Sequence, residues 1–212
     1  MYGRVWEFRI EDWRGVVGGF VGRVTPARGR DLISAPKYLA ALREMGLPGG
    51  PVVEAQQVHG GEVAVVSAAE LAAGRPQPTR VQDIDGLLTD QRGVVLAIYV
   101  ADCLAIFLHH RARPGVGVGH AGWRGLAADL PGAMVRTALA AWGGEGSDLS
   151  CALSPCIEAC CFEVGEEVAE VFADLPGAVD RSRPRPHVDM RQVARAQLQA
   201  AGVPSEQIRD LP

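Results

Sequence analysis

The stretch Gly93-Val94-Val95-Leu96-Ala97-Ile98-Tyr99-Val100-Ala101-Asp102-Cys103-Leu104-Ala105-Ile106-Phe107-Leu108-His109-His110 decides how this chain folds. Hydropathy alone fits a buried helix as well as it fits strands. The β-branched bias, with Gly93 before the run and Pro114 after it, favours strands, because branched side chains suit a pleated surface and crowd a helical turn. Asp102-Cys103 then falls at a break between two strands or inside one buried strand. A carboxylate in such surroundings must be paired, hydrogen-bonded or exposed in a cleft.

Working outward, Val116, Val118 and His120 alternate and predict a strand that ends at His120. Gly122 and Gly125 then let the chain turn tightly. Trp6, Phe8 and Ile10 predict an early strand, and Val63 to Val66 another. Helices are expected over Ser34 to Gly46, with Ser34 as N-cap and Pro36 in the first turn. Leu126 to Trp142 also reads as helical, with Pro131 confined to a helix start or a kink. Val164, Val168, Val171, Phe172 and Leu175 mark a further face, and Met190, Val193, Leu198 and Ala201 mark another, closed by Gly202. Strands and helices mix without a regular βαβ rhythm, so the expected class is α+β, a layered fold of mixed sheets flanked by helices.

A chain of 212 residues is most simply one domain, 1–212, and 48% apolar residues allow a full core. The net charge of -4 gives no reason to expect nucleic acid. Twenty of the 21 basic residues are arginine, so lysine chemistry would rest on Lys37 alone. Cysteines stand at 103, 151, 156, 160 and 161, an odd number without a disulfide framework. No signal segment and no run of about 20 apolar residues is present, so a cytoplasmic protein with no membrane partner is expected.

Three short motifs carry the chemistry: Gln57-Val58-His59-Gly60, Ala101-Asp102-Cys103-Leu104 and Gly119-His120-Ala121-Gly122-Trp123-Arg124-Gly125. His59, Cys103 and His120 together suffice to hold a zinc ion by three ligands, leaving a fourth position for water or substrate. Spacing alone leaves the bland readings open: His59 as a strand-end cap, Cys103 as an inert core thiol, Trp123 as packing. His109-His110 are expected to end a strand at the surface. Cys151, Cys156, Cys160 and Cys161 are expected to pack, since adjacent cysteines cannot easily share one tetrahedral ion. His187 has no partner evident in its Pro/Arg-rich surroundings. Neither the His-x-Glu and Pro-Cys-x-x-Cys register of zinc deaminases nor a Walker loop is present. Gly115-x-Gly117-x-Gly119 is read as strand rather than nucleotide loop.

Further runs join these motifs in order: Asp85-Gly86-Leu87-Leu88-Thr89-Asp90, Ser154-Pro155-Cys156-Ile157, Cys160-Cys161-Phe162-Glu163-Val164-Gly165 and Val188-Asp189-Met190. Together they resemble the YfiH-type laccase-domain family, also described as multicopper-oxidase-like, as purine nucleoside phosphorylases with adenosine deaminase activity, and as peptidoglycan editing factors. The resemblance runs from Gln57 to Met190. It implies a YfiH-like fold, similar to that of cytotoxic necrotizing factors. It implies Zn2+ on His59, Cys103 and His120, in a cytoplasmic enzyme taking a purine nucleoside and phosphate. The family's Phe-Thr-Thr-Arg arginine falls on Arg23, in Phe20-Val21-Gly22-Arg23.

Departures accompany the likeness. Val24-Thr25-Pro26 follows Arg23 in place of glycines and serine, and Leu104-Ala105 replaces Leu-Pro. The chain ends at Leu211-Pro212, where the family's usual C-terminal Cys-Thr segment and aromatic-Ser-Tyr-Arg-Arg strand would follow. On this reading Arg124 and Arg23 grip phosphate, since guanidinium holds oxyanions bidentately. Asp102 is a proton shuttle or the partner of a ligating histidine. The rival readings are a copper (Cu2+) polyphenol oxidase, a metal-free Cys103–His120 hydrolase acting on cell-wall precursors, and a non-catalytic zinc protein. A monomer or homodimer is expected.

Overall fold

The apolar run resolves into two strands that belong to different sheets. In the computed structural model, residues 5–8, 13, 15–16, 18–21, 50–72 and 79–212 are described. The run supplies β7 (Val95–Ala97) and β8 (Leu104–His110), with the Asp102-Cys103 break between them. Strand β8 lies at the centre of a six-stranded sheet. Its neighbours are β9 (Val116–Ala121) and β10 (Leu149–Leu153), both antiparallel to it. Beyond β9 come β6 (Gly86–Thr89) and β4 (Val63–Val65); beyond β10 comes β13 (Ile208–Asp210), in the order β13-β10-β8-β9-β6-β4. Strand β7 instead joins a parallel three-stranded sheet with β3 (Val52–Ala55) and β5 (Thr79–Val81), in the order β5-β3-β7. Two small ribbons pair β1 (Val5–Phe8) with β2 (Gly18–Val21) and β11 (Val179–Asp180) with β12 (His187–Val188). The layered α+β architecture expected from the sequence is present.

A short helix α1 (Ala68–Ala72) follows β4. The helical signal at Leu126 to Trp142 splits into α2 (Trp123–Ala127) and α3 (Leu130–Trp142). Asp129 breaks it with a left-handed backbone, φ 55°, and caps α3 by accepting from the Gly132 amide at 3.3 Å. Pro131 is thereby confined to the first turn, where its missing N–H costs nothing. Helix α4 (Glu166–Ala169) and a following 3₁₀ turn, Glu170–Phe172, occupy the next expected helical face. Helix α5 (Met190–Ala200) is capped by Asp189, which accepts from the Gln192 amide at 2.9 Å, and is closed by Gly202 at φ 99°. The helix expected over 34–46 lies outside the described residues.

The main core lies between the six-stranded sheet and helices α3 and α5, with Leu104, Ile106, Leu108, Leu130, Met134 and Leu198 fully buried. Each such side chain contributes about 1.5–3 kcal/mol by leaving water. The Gly115-x-Gly117-x-Gly119 alternation makes this close approach possible. A Cβ on Gly119 would stand 2.4 Å from Met134 Sδ, and one on Gly115 would stand 2.8 Å from the Trp142 ring. These glycines seat α3 on the strand.

His109 and His110 end β8 as expected but are buried rather than at the surface. His109 stacks on Trp13 with ring centroids 5.1 Å apart, and His110 meets Trp142 edge-on. Trp13 forms a small cluster with Leu211 and Ala152 that covers the His109 side of the sheet, whereas Trp142 of α3 covers His110 from the main core. No helix among the described residues is long and apolar enough to cross a membrane.

Candidate metal centre

Strand register brings Cys103 and His120 to one place. Leu104 pairs with Ala121 and Ala105 with His120, so Cys103 stands across from Gly122, just past the β8–β9 ladder. Side chains alternate between faces, so Cys103 and His120 share one. His59 arrives from the turn between β3 and β4, and its ring meets that of His120 edge-on with centroids 4.7 Å apart. The ligating atoms of His59, Cys103 and His120 all lie within 4.8 Å of one another. Among the described residues this group comprises those three side chains, with no fourth His, Cys, Asp or Glu ligand. His120 is buried, Cys103 half-buried and His59 exposed, so the group opens to solvent on the His59 side.

One buried carboxylate organises the whole arrangement. Asp85, just before β6, is fully buried and accepts from three successive backbone amides: Val58 at 3.1 Å, His59 at 3.1 Å and Gly60 at 2.7 Å. Its Oδ1 also bonds His120 Nδ1 at 2.8 Å. A carboxylate accepts only, so Nδ1 carries the proton and Nε2 keeps the lone pair needed for a metal. Asp85 therefore sets the His120 tautomer and holds the His59 turn with the same two oxygens. His59 sits at φ 63°, a left-handed conformation uncommon for a residue with a side chain. Three amide bonds to one carboxylate compensate for it.

Neighbouring contacts fix the third residue. Gln57 clamps the Tyr99 backbone in both directions, donating to its carbonyl at 2.7 Å and accepting from its amide at 2.7 Å. The loop that carries Cys103 is thus tied to the turn that carries His59. On the other side the Ile157 amide donates to Asp102 O at 2.9 Å, and Ser154 Oγ accepts from the Ala105 amide at 2.8 Å. Gly122 leaves the room: a Cβ there would lie 3.1 Å from Cys103 Sγ and 3.4 Å from the His59 ring.

Burial raises the Cys103 pKa, and Asp102 and Asp85 raise it further. This thiol resists ionising until a cation is brought to it. Burial lowers the His120 pKa, against which the Asp85 bond acts upward; His59 adds a further lowering. A neutral imidazole is the form that coordinates metal.

The carboxylate that orients a histidine here is Asp85 and not Asp102. Asp102 is exposed beside Cys103 and lines a groove of about 350 Å³ with Cys156, Glu158, Cys160 and Cys161. The signal for Asp85 was available, since it opens the Asp85-Gly86-Leu87-Leu88 run, but nothing local distinguishes its role from that of Asp83 or Asp90. Arg124 is exposed on α2, with its guanidinium 4.3 Å from the Trp123 ring centroid. Arg23 lies outside the described residues. Cys151 packs in the core as expected, whereas Cys160 and Cys161 are exposed. His187 is buried, with Nδ1 3.0 Å from Arg185 O.

Residues 34–212 match the family described as multi-copper polyphenol oxidoreductase laccase. The chain is 34% identical over 161 residues to a purine nucleoside phosphorylase, YlmD, of Geobacillus stearothermophilus, covering 72% of this chain and 58% of that protein. The chain thus spans less than two thirds of that relative's length. It is 33% identical over 177 residues to an adenosine deaminase, RL5, of an unknown prokaryotic organism, covering 80% of this chain and 67% of the other. The crystal structure of the Bacillus licheniformis hypothetical protein YfiH superposes with a TM-score of 0.83 at 26% identity, covering 95% of this chain and 84% of that one.

Proposed function

We propose a function from one premise: the chain belongs to the multi-copper polyphenol oxidoreductase laccase family. It is a zinc-dependent purine nucleoside phosphorylase that also deaminates adenosine, with His59, Cys103 and His120 as the metal ligands. The observation that carries this is the gathering of those three ligating atoms within 4.8 Å, with His120 oriented by Asp85. The donor set fits zinc: two imidazoles and one thiol, with an open coordination position. It fits a blue-copper centre less well, because that needs a weak axial ligand such as Met. Met134 packs at Gly119, on the strand face opposite His120, and Met190 is buried in the core.

Zinc when bound supplies Lewis-acid polarisation of a substrate or water oxygen. The protein's own groups do the rest. Asp85 keeps His120 in the ligating tautomer and holds the His59 turn in place. In phosphorolysis a phosphate oxygen bonds to ribose C1 while the C1–N9 bond breaks and its electron pair passes to the purine. Arg124 holds that phosphate; with its guanidinium against Trp123, its edge N–H groups remain available for bidentate contact. Arg23 is assigned the same work. Asp102, exposed beside Cys103, exchanges the proton at purine N7 as the base departs. In deamination the same carboxylate serves the ring nitrogen next to C6.

Incubation of the purified protein with adenosine, with and without phosphate, tests this in one experiment with zinc quantified in the same sample. Adenine and ribose-1-phosphate should appear only with phosphate, inosine without it, and both should vanish in Cys103→Ala. Zinc at one per chain with no turnover would support the non-catalytic reading. Copper with phenol oxidation would support the oxidase.

A further inference from the structure

Three thiols, those of Cys156, Cys160 and Cys161, line the groove beside Asp102. Cys156 is half-buried, packs against the core and donates to Ile157 O at 3.5 Å. Cys160 and Cys161 differ: both are exposed, and their sulfurs lie 3.2 Å apart, one thiol donating to the other. They occupy a turn closed by the Cys161 and Phe162 amides, which donate to Glu158 O at 2.9 Å and 3.0 Å. Arg183 donates to Cys160 O at 2.8 Å and holds the turn from outside.

We propose that Cys160 and Cys161 form a modification site, a vicinal dithiol that hydrogen peroxide closes to a disulfide within the turn. One sulfur attacks a peroxide oxygen and the O–O bond breaks, leaving a sulfenic acid and releasing one water. The adjacent thiol displaces the sulfenyl oxygen, the S–S bond forms and a second water leaves. Two thiols are oxidised by two electrons and one peroxide is reduced. The neighbouring sulfur is already 3.2 Å away, so the second step is intramolecular and outruns over-oxidation. Adjacent Cα atoms are about 3.8 Å apart, shorter than the usual disulfide range of about 4.4–6.8 Å. The ring is therefore strained and readily reduced, which is the character of a reversible rather than a structural bond. The turn also connects to the metal cluster, since Ile157 on its near side bonds Asp102 O.

Cleavage after Glu158 and Glu163 isolates the peptide Ala159–Glu163, which contains these two cysteines alone. The zinc-loaded protein is treated with hydrogen peroxide, its remaining thiols are alkylated, and this peptide is weighed. The expected result is an unalkylated peptide lighter by two hydrogens, which takes up two alkyl groups after dithiothreitol. In Cys161→Ser the two-hydrogen loss should disappear and Cys160 should be trapped by dimedone as a sulfenic acid. A peptide carrying two alkyl groups after peroxide, one carrying sulfinic acids, or one cross-linked to Cys156 or Cys103 overturns the proposal.

Discussion

Replacing Asp85 with Asn keeps the shape of the side chain and removes its charge and one acceptor. Four donors converge on this carboxylate: Val58 and Gly60 amides on Oδ2, the His59 amide and His120 Nδ1 on Oδ1. If the new amide nitrogen takes the Oδ2 position, it faces the Val58 and Gly60 N–H groups and both bonds are lost. In the other orientation it faces the His59 N–H and His120 Nδ1. His120 can then accept from the amide only by moving its proton to Nε2, which blocks the ligating nitrogen. Either way two bonds to a charged acceptor disappear. Each contributes about 1.5–3 kcal/mol, so about 3–6 kcal/mol of stability is at risk. A domain holds about 5–15 kcal/mol in total, so Asp85→Asn should remain folded in cool buffer with a lowered urea midpoint. Loss of such an orienting partner costs about 10–100-fold in metal affinity. Competition against a chromophoric chelator measures the second effect, and urea unfolding followed by tryptophan fluorescence measures the first. A variant that binds zinc as tightly as the parent and unfolds at the same midpoint would refute Asp85 as the organiser of the site.

Three other outcomes are expected. Gly122→Ala meets no backbone obstacle, since Gly122 sits at φ -78°, but places its Cβ 3.1 Å from Cys103 Sγ; zinc affinity should fall with little change in unfolding midpoint, and the reverse pattern would count against the spatial argument. Gln57→Ala removes both side-chain bonds to the Tyr99 backbone, so stability should drop by about 1–3 kcal/mol and the Tyr99 amide should exchange faster in deuterated water. The His109 pKa is lowered from 6.5 to about 4 by burial first and then by His110 and Arg111. The folded state therefore keeps this ring neutral while the unfolded chain protonates it. Stability is full above about pH 6.5, falls as the pH is lowered toward about 4 and then levels, by up to about 3 kcal/mol. His109→Phe should flatten part of that slope in a melting-temperature series; an unchanged slope would place the titration elsewhere.

Local chemistry alone decided a good part of this architecture. The β-branched bias of the 93–110 run favoured strands, but Asp102-Cys103 was compatible with a break between two strands or with one buried strand; pairing of β7 and β8 into different sheets decided for the break. Pro131 limited where a helix could begin, although the left-handed Asp129 that splits the segment carries no such signal. His59, Cys103 and His120 were recognisable as a donor set, since their residue types and glycine-rich neighbours suit a metal. Tertiary structure decided what the surroundings of each group would be. Four bonds converge on Asp85 only because β6 pairs with β9 and the 57–60 turn folds over both, which no linear pattern records. Strand ends are commonly exposed, so His109 and His110 read as surface residues; Trp13 and Trp142, far away in the chain, bury them. Cys160 and Cys161 read as core thiols, and a tight turn at the rim of a groove exposes them instead. Residue type and spacing determine which groups can do chemistry; the long-range packing that sets solvent access and hydrogen-bond partners determines which of them are placed to do it.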